Sequence, residues 1–237
     1  MVRHDLARGF HRPRPGPASP CEAASMSDSS PSSAGLAEVW TAWLRALDEA
    51  GFPATANVRP PASAEEVRAA EAVFGAPFPA DLAALYLLAD GQLNDHPRAP
   101  GPRPEVATSI FPATYRFVPL DEAVVQYRGW LDVIEDGDDD HITVREGDPV
   151  RARYWDPGWW PLAVDGGGNA LVVDTVPEPG GVRGQVVVAG PDEDERRRVA
   201  TGVADYLHRL LAEPAPVCED TGDDAPDHRF WDVRHLR

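Results

Sequence analysis

Residues 155–174 hold the side chains of this chain that most invite a chemical role: three tryptophans, three aspartates and the glycine run Gly166–Gly168. Glycine-rich loops bind phosphate when a strand precedes them and a helix N-terminus follows, because the backbone amides then converge on the anion. Here a second apolar run follows the glycines, and the chain contains no lysine to reach a phosphate. The pattern therefore argues against nucleotide binding.

Two groups of carboxylates suggest other chemistry. Asp165 and Asp174 flank the two apolar runs and would suit paired acid–base carboxylates, although capping of a turn explains Asp165 better. The acidic loop 135–141 invites a calcium site. A calcium loop centred on Gly137 would place Ile134 and Thr143 where oxygen ligands are needed. A solvated acidic loop is the better interpretation.

Histidine and cysteine spacing predicts neither a metal site nor a nucleophile. The chain has seven histidines and two cysteines, with no His-x-x-x-His, Cys-x-x-Cys or Gly-x-Ser-x-Gly arrangement. Cys21 and Cys218 lie in opposite low-complexity ends, which is not typical of a disulfide scaffold. We therefore predict a protein that is not an enzyme, holds no metal or cofactor, and works in a reducing cytoplasm.

The glycine run sits at the tip of a predicted β-hairpin. Apolar runs 162–164 and 170–173 flank the turn residues 165–169. Alternation places Trp160 and Leu162 on one face of the first strand, and Trp159 and Pro161 on the other. Either both faces are core, or one is a recognition surface. The candidate partner-binding residues are Trp155, Trp159, Asp165, Gly166, Gly167, Gly168, Asn169, Asp138, Asp139 and Asp140.

Helices are predicted before this hairpin. An apolar stripe from Leu36 to Leu47 indicates a first helix that ends at Gly51. Ser63 and Glu66 form a capping box for a second helix, which ends at Gly75. A third helix ends near residues 90–91, after a proline-bearing corner. A fourth runs from an N-cap at Asp121 to about Leu131.

Strands are predicted around the hairpin and one helix after it. The segments 110–118 and 151–155 suit short strands, and 184–188 suits a clear one. A last helix is predicted from about 192–195 to Leu211, since acidic residues favour a helix start. Helices first, strands next and a closing helix predict an α+β fold, with a single, mostly antiparallel sheet flanked by helices.

Composition predicts the domain boundaries. Residues 1–33 are rich in proline and serine and are expected to be disordered, with Met26 an alternative start. Residues 34–212 form the predicted domain. Residues 213–237 form an acidic Pro/Asp-rich tail whose aromatic cluster 230–233 either docks on the domain or stays free.

Charge narrows the range of partners. Net charge is −17, and residues 34–212 hold 29 acidic residues against 15 arginines, a net charge of −14. Such a body disfavours nucleic acid, whose binding requires neutralised phosphates. It favours basic protein partners, or the charge simply keeps the protein in solution, which is the simpler interpretation. No apolar run reaches the roughly 18 residues of a spanning helix, and the first residues lack a secretory pattern. We expect neither membrane nor nucleic-acid binding.

An ordered set of motifs resembles a known family. The motifs are Pro-Pro-Ala-Ser-Ala-Glu-Glu-Val (60–67), Phe-Gly-Ala-Pro-Phe-Pro-Ala-Asp-Leu (74–82), Asp-Gly-Gln (90–92), Pro-Leu-Asp-Glu-Ala (119–123), Trp-Pro-Leu-Ala (160–163), Asp-Gly-Gly-Gly-Asn (165–169) and Gly-Gln-Val (184–186). Together they resemble the SUKH superfamily, in its branch similar to the Smi/Knr-type regulators of fungal cell-wall assembly. The match covers about residues 34–212. It implies an α+β domain without catalytic function.

The resemblance implies a protein-binding role. Bacterial members are typically immunity proteins that neutralise toxins, and the lysine-free composition leans bacterial. We therefore expect an immunity protein whose acidic, partly aromatic face occludes a basic toxin domain. The alternative is a housekeeping interaction or scaffold module of the Smi/Knr-like type, acting in cell-wall or signalling regulation without a toxin. An enzyme built on Asp165 and Asp174 is the third hypothesis.

Overall fold

The computed structural model describes residues 33–134, 139–217 and 228–237. The helices are α1 (Ser33–Glu49), α2 (Ala54–Asn57), α3 (Ala64–Phe74), α4 (Ala80–Tyr86), α5 (Leu120–Ile134) and α6 (Val203–Ala212), with a 3-10 turn at Arg234–Leu236. The strands are β1 (Ala107–Thr108), β2 (Arg116–Phe117), β3 (Thr143–Val144), β4 (Trp159–Val164), β5 (Ala170–Asp174), β6 (Gln185–Ala189), β7 (Glu195–Ala200) and β8 (His228–Arg229).

The strands form one large sheet and one small ladder. The sheet has six strands in the order β2-β4-β5-β6-β7-β3. Its pairs are antiparallel except β3 with β7, which is parallel. Strands β1 and β8 form a separate parallel pair. The predicted α+β fold with a mostly antiparallel sheet is confirmed.

The three central strands are buried on both faces. Every residue of β4, β5 and β6 is buried, whereas an antiparallel sheet commonly leaves one face in water. On one face, the Trp160 ring lies 5.6 Å from Phe74 of α3 and 5.6 Å from Tyr127 of α5. On the other face, Trp159 lies 6.0 Å from Trp155. Helices therefore cover one face, and the irregular segment before β4 contributes cover to the other.

Predictions that rest on interactions between residues close in the sequence are confirmed. The Ser63 hydroxyl accepts from the Glu66 amide at 3.2 Å, and the Glu66 carboxylate accepts from the Ser63 amide at 2.7 Å. Gly75 ends α3 with a φ of +83°, a conformation that glycine adopts without steric cost. The hairpin is also present, with Val164 opposite Ala170.

The predicted start of the last helix is wrong. Residues 195–200 form β7, and its residue Arg198 pairs with Val187 of β6. α6 begins only at Val203, and its first amides, those of Val203 and Ala204, donate to Asp81 at 2.6 and 3.2 Å. The carboxylate that accepts from these two amides therefore comes from α4, far away in the sequence.

Three other local predictions are corrected. The segment 151–155 is not a strand. The strand at the sheet edge beside β7 is β3. α5 begins at Leu120, whose amide donates to Asp90 at 2.8 Å, so Asp121 lies in the first turn and is not the N-cap. In the predicted strand region 110–118, only Arg116–Phe117 is a strand.

The aromatic cluster near the C-terminus docks on the domain. Trp231 is buried, with its ring 5.3 Å from Trp43 of α1, and its indole N–H donates to the Ser109 carbonyl at 3.1 Å. The Tyr206 hydroxyl of α6 donates to the Leu236 carbonyl at 2.7 Å. Residues 228–237 thus pack against both α1 and α6.

The Gln92 side chain forms hydrogen bonds with β1, with the segment after it and with β2, which are not paired with one another. This side chain, 4% exposed, donates to the Thr108 carbonyl at 2.8 Å. Its amide oxygen accepts from the Ile110 and Phe117 amides at 3.1 and 3.0 Å. One buried side chain thus satisfies three main-chain groups.

We expect Gln92→Leu to destabilise the protein by about 2–4 kcal/mol, because leucine of similar volume leaves those three buried groups unpaired. Denaturant unfolding measures the loss. The matched control is Gln126→Leu on the half-buried face of α5, which should change stability by less than about 0.5 kcal/mol. Equal effects of the two substitutions would contradict this role for Gln92.

Asp174 is a buried carboxyl at the end of β5. It is 0% exposed and accepts from the Val176 amide and from Gln185 Nε2, both at 2.8 Å. Burial raises the pKa of Asp174, and these two hydrogen bonds oppose the rise without cancelling it. The folded protein therefore holds this proton more tightly than the unfolded chain does.

This difference predicts a pH dependence. A carboxyl whose folded pKa exceeds its unfolded value costs stability when ionised, and the cost disappears as pH falls to the ordinary aspartate value of about 4. Wild-type protein should therefore gain stability relative to Asp174→Asn as pH is lowered from about 7 to about 4.5. Paired denaturant curves across this range measure the difference. A gap between the two proteins that is constant, or that moves the other way, would refute the assignment.

Candidate functional site

The structure corrects the aromatic part of the predicted surface. Trp155 and Trp159 are 2% and 0% exposed, so their rings present no recognition face. Trp130, from α5, stacks on Trp155 with ring centroids 4.4 Å apart and planes 3° apart. The alternative in which all three tryptophans of this stretch are core is confirmed, because Trp160 is also fully buried.

The hairpin tip is organised by Asp165. Its carboxylate accepts from the Gly167 amide, the Asn169 amide and Asn169 Nδ2, each at 2.8 Å. Gly166 and Gly167 are exposed at the tip. The tip is thus a fixed turn that presents bare backbone to solvent.

Asn169 joins this turn to the next one. Its side-chain oxygen accepts from the Asp192 amide at 2.9 Å, and its Nδ2 lies 3.2 Å from Asp192 Oδ2. The turn between β6 and β7 passes very close: a Cβ on Gly190 would stand 2.4 Å from the Asn169 Cα. Only glycine permits that approach, so the two turns form one unit.

The predicted acidic loop joins the same end of the sheet. β3 runs parallel to β7, with Thr143 opposite Glu195, so the residues before β3 lie beside the turn before β7. The Thr143 amide donates to the Asp194 carbonyl at 2.9 Å. Asp138 lies outside the described residues. We call the following set the acidic end of the sheet: Asp139, Asp140, Asp165, Asp192, Glu193, Asp194 and Glu195.

Arginines offset only part of this charge. Arg153 pairs with Asp139 at 2.6 Å, Arg197 with Glu193 at 2.6 Å, and Arg145 with Glu195 at 3.5 Å. A fourth, Arg196, is buried at this end and brings its charge close to the same carboxylates. Among the described residues, these seven carboxylates outnumber the four guanidiniums named here, so the charge of this set is net negative.

Two of these groups have shifted pKa values. Burial opposes ionisation of Asp139, but hydrogen bonds from the Tyr154 amide and Arg153 outweigh it and lower the pKa of that carboxyl. Burial lowers the pKa of Arg196 to about 10. The Arg196 guanidinium donates to the carbonyls of Arg153 at 3.0 Å and Tyr154 at 2.7 Å, which anchors residues 153–154 to β7.

A cavity of about 640 Å³ adjoins Asp139 on the Trp155 side. Its two arginines are already paired, Arg151 with Asp156 at 3.1 Å and Arg153 with Asp139 at 2.6 Å. Nowhere in the described part of the chain do three or more histidine, cysteine or acidic side chains gather as a metal site would require.

Asp165 and Asp174, considered above as a pair of acid–base carboxylates, do not lie together. Asp174 pairs with Trp159 at one end of β4, whereas Asp165 follows Val164 at the other end. The length of the hairpin separates the two carboxyls, so they do not share a site. The structure instead links Asp165 to Asp192 through Asn169, which bonds to both residues, and the sequence pattern did not indicate this link.

None of the helices in the described ranges has both the length and the apolar character needed to cross a bilayer.

Similar proteins are found among fungal regulators. A cell wall biosynthesis/cell cycle regulator of Schizosaccharomyces pombe is 45% identical over 58 residues, which are 24% of this chain and 12% of that protein. A glucan synthesis regulatory protein of Neurospora crassa is 41% identical over 78 residues, 31% of this chain and 15% of that protein. A KNR4/SMI1 homologue of Yarrowia lipolytica is 37% identical over 93 residues, 39% of this chain and 11% of that protein.

These matches span only 11–15% of the relatives' own length. The family model covers much more of this chain. Residues 61–209 match the model of the SMI1/KNR4 family, from α3 through β7 and into α6. That range contains the hairpin, the whole six-stranded sheet and the acidic end of the sheet. The chain belongs to the SMI1/KNR4 family (SUKH-1).

Proposed function

We propose that this chain is a non-catalytic protein-binding module of the regulatory type, and that the acidic end of the sheet is the surface that binds its partner. The observation that carries the proposal is the convergence of two linked turns and the start of β3 at one end of the sheet. Exposed carboxylates and exposed glycine backbone lie together there, on turns that hydrogen bonds hold in place. Family membership supports the regulatory character.

The relatives favour regulation over toxin neutralisation. Their names describe regulators of cell-wall biosynthesis and glucan synthesis. A housekeeping interaction or scaffold module in cell-wall or signalling regulation is therefore the main proposal. This chain would supply the binding domain of such a regulator.

The shape of the acidic end suits protein recognition. The turns are fixed by hydrogen bonds of 2.8–3.2 Å through Asp165 and Asn169, so little conformational entropy is lost on binding. Asp140, Asp192, Asp194 and Glu195 are exposed. Clustered charge of one sign steers a partner of opposite charge and accelerates association. The partner surface should therefore be basic.

A second candidate function is that of an immunity protein that occludes a basic toxin. The net charge of −14 on residues 34–212 supports it. The two functions differ in what the protein binds in its host. Capture on immobilised protein followed by mass spectrometry, repeated at high salt, identifies the partner. A toxin encoded by a neighbouring reading frame would favour immunity, and a cell-wall or signalling protein would favour the regulatory module.

Once a partner is identified, we expect Asp140→Lys/Asp194→Lys to slow its association by at least about tenfold at physiological salt, because electrostatic steering is reversed. Stopped-flow or surface-based kinetics give the association rate. The wild-type rate should also fall steeply as salt is raised.

The matched control is Glu38→Lys/Glu49→Lys, which makes the same change of charge on exposed positions of α1. That variant should slow association much less. If the two double variants behaved alike, the total charge rather than the acidic end of the sheet would be responsible, and the surface assignment would be lost.

A further inference from the structure

A furrow lies at the start of α5, away from the acidic end of the sheet. Its larger part is a cavity of about 800 Å³ between α5, residues 59–60 and the loop 92–102. Apolar side chains dominate its lining, among them Pro60, Leu93, Pro100, Pro119 and Val125. A cavity of this size and character is typical of a binding site rather than of a packing defect.

A second cavity of about 340 Å³ continues the furrow along the seam between α3 and α5. Ala69 and Val73 of α3 and Val124 of α5 line it. Arg59 and Asp121 line both cavities and form an ion pair of 3.2 Å between them. The Asp121 side chain is 74% exposed, so a competing cation can reach it.

The apolar surface extends beyond the cavities along α5. Val125 is 67% exposed, and Val133, two turns later on the same side of the helix, is 47% exposed. Gly129 lies between them, with nothing within 4 Å of the position of a Cβ. Eight residues of helix span about 12 Å. A ridge of that length favours a polypeptide segment over a small molecule.

The charges around the furrow indicate the chemistry of that segment. Four carboxylates line the two cavities, against two arginines. The carboxylates are Glu66, Asp90, Asp121 and Glu122, and the arginines are Arg59 and Arg98. Arg59 is engaged by Asp90 at 3.0 Å as well as by Asp121, and Glu122 is paired with Arg116, which lies just outside the cavities. With Arg116 counted, four carboxylates against three arginines leave a small excess of negative charge, which complements basic side chains.

We propose that this furrow docks an amphipathic helix of another protein, with an apolar face laid along Val125 and Val133 and basic residues directed at Asp121. Helices commonly bind in this way to apolar grooves. The furrow lies beside Gln92, whose amide bonds to β2, whereas β3 forms the opposite edge of the sheet. Five strand spacings separate those edges, roughly 24 Å. The turn at Asp165 follows β4, which is adjacent to β2, so the carboxylates beside β3 are the part of the acidic end farthest from the furrow.

The test uses three labelled peptides of about 16 residues that share one leucine/alanine face and carry lysine, glutamine or glutamate on the polar face. Fluorescence anisotropy at about 150 mM salt measures binding to wild type, Val125→Asp and Val182→Asp. Val182 is 48% exposed and lies outside the furrow. Both substitutions add the same negative charge at an exposed valine. At position 125 that charge lies in the furrow and by itself would attract the lysine peptide, so weaker binding there reports loss of the apolar contact.

We expect the lysine peptide to bind best and the glutamate peptide not to bind. Val125→Asp should weaken the lysine peptide by about tenfold or more, and Val182→Asp should leave it within about twofold. The Asp140→Lys/Asp194→Lys variant should retain most of this binding, so loss at the acidic end would not be mistaken for loss at the furrow. Equal binding to both valine variants, or no binding up to about 1 mM peptide, would overturn the proposal. Amide chemical-shift mapping on wild type gives a second readout that needs no variant.

Discussion

The burial of β4, β5 and β6 on both faces is the constraint on which the rest of the structure depends. A polar group buried without a partner costs about 1–3 kcal/mol, so polar side chains buried on and beside these strands are stabilised by partners inside the protein. Gln185 donates to Asp174 at 2.8 Å, and Asn169, just before β5, accepts from the Asp192 amide. The indole N–H of Trp159 on β4 is an exception, with no partner among the described residues. On the adjoining β7, Arg196 is satisfied by carbonyls of residues 153 and 154. The same bonds hold the irregular segment before β4 onto the sheet.

This constraint determines where a partner can bind. The centre of the sheet offers no exposed side chain, and the tryptophans that mark it in the sequence are core residues. The surfaces left for recognition lie at the ends of the strands and in the furrow beside α5. Both have fixed geometry, because Asp165 and Asn169 lock the turns and Arg59 links α5 to the preceding loop. A rigid module with separate surfaces suits a protein that brings others together.

The sequence was informative where interactions are local. The Ser63–Glu66 capping box and the hairpin turn depend on residues three to five positions apart, and both are present. It misled where distant residues decide. Acidic residues at 192–195 suggested a helix start, but pairing with β6 makes β7, and Asp81 receives the α6 amides instead. The burial of Trp155 could not be predicted from its neighbours in the sequence, because Trp130, from the separate helix α5, stacks on its ring. The link between Asn169 and Asp192 likewise joins two turns with no shared motif.

We propose that this module binds through the ends and edges of its sheet and not through its tryptophan-rich centre. Hydrogen exchange of the protein with and without a captured partner tests this proposal. We expect slower exchange at 139–145, 165–169 and 190–195, with 159–164 and 170–174 unchanged because those amides already lie in buried ladders. Slowing confined to 155–164, with none at the three end segments, would contradict it.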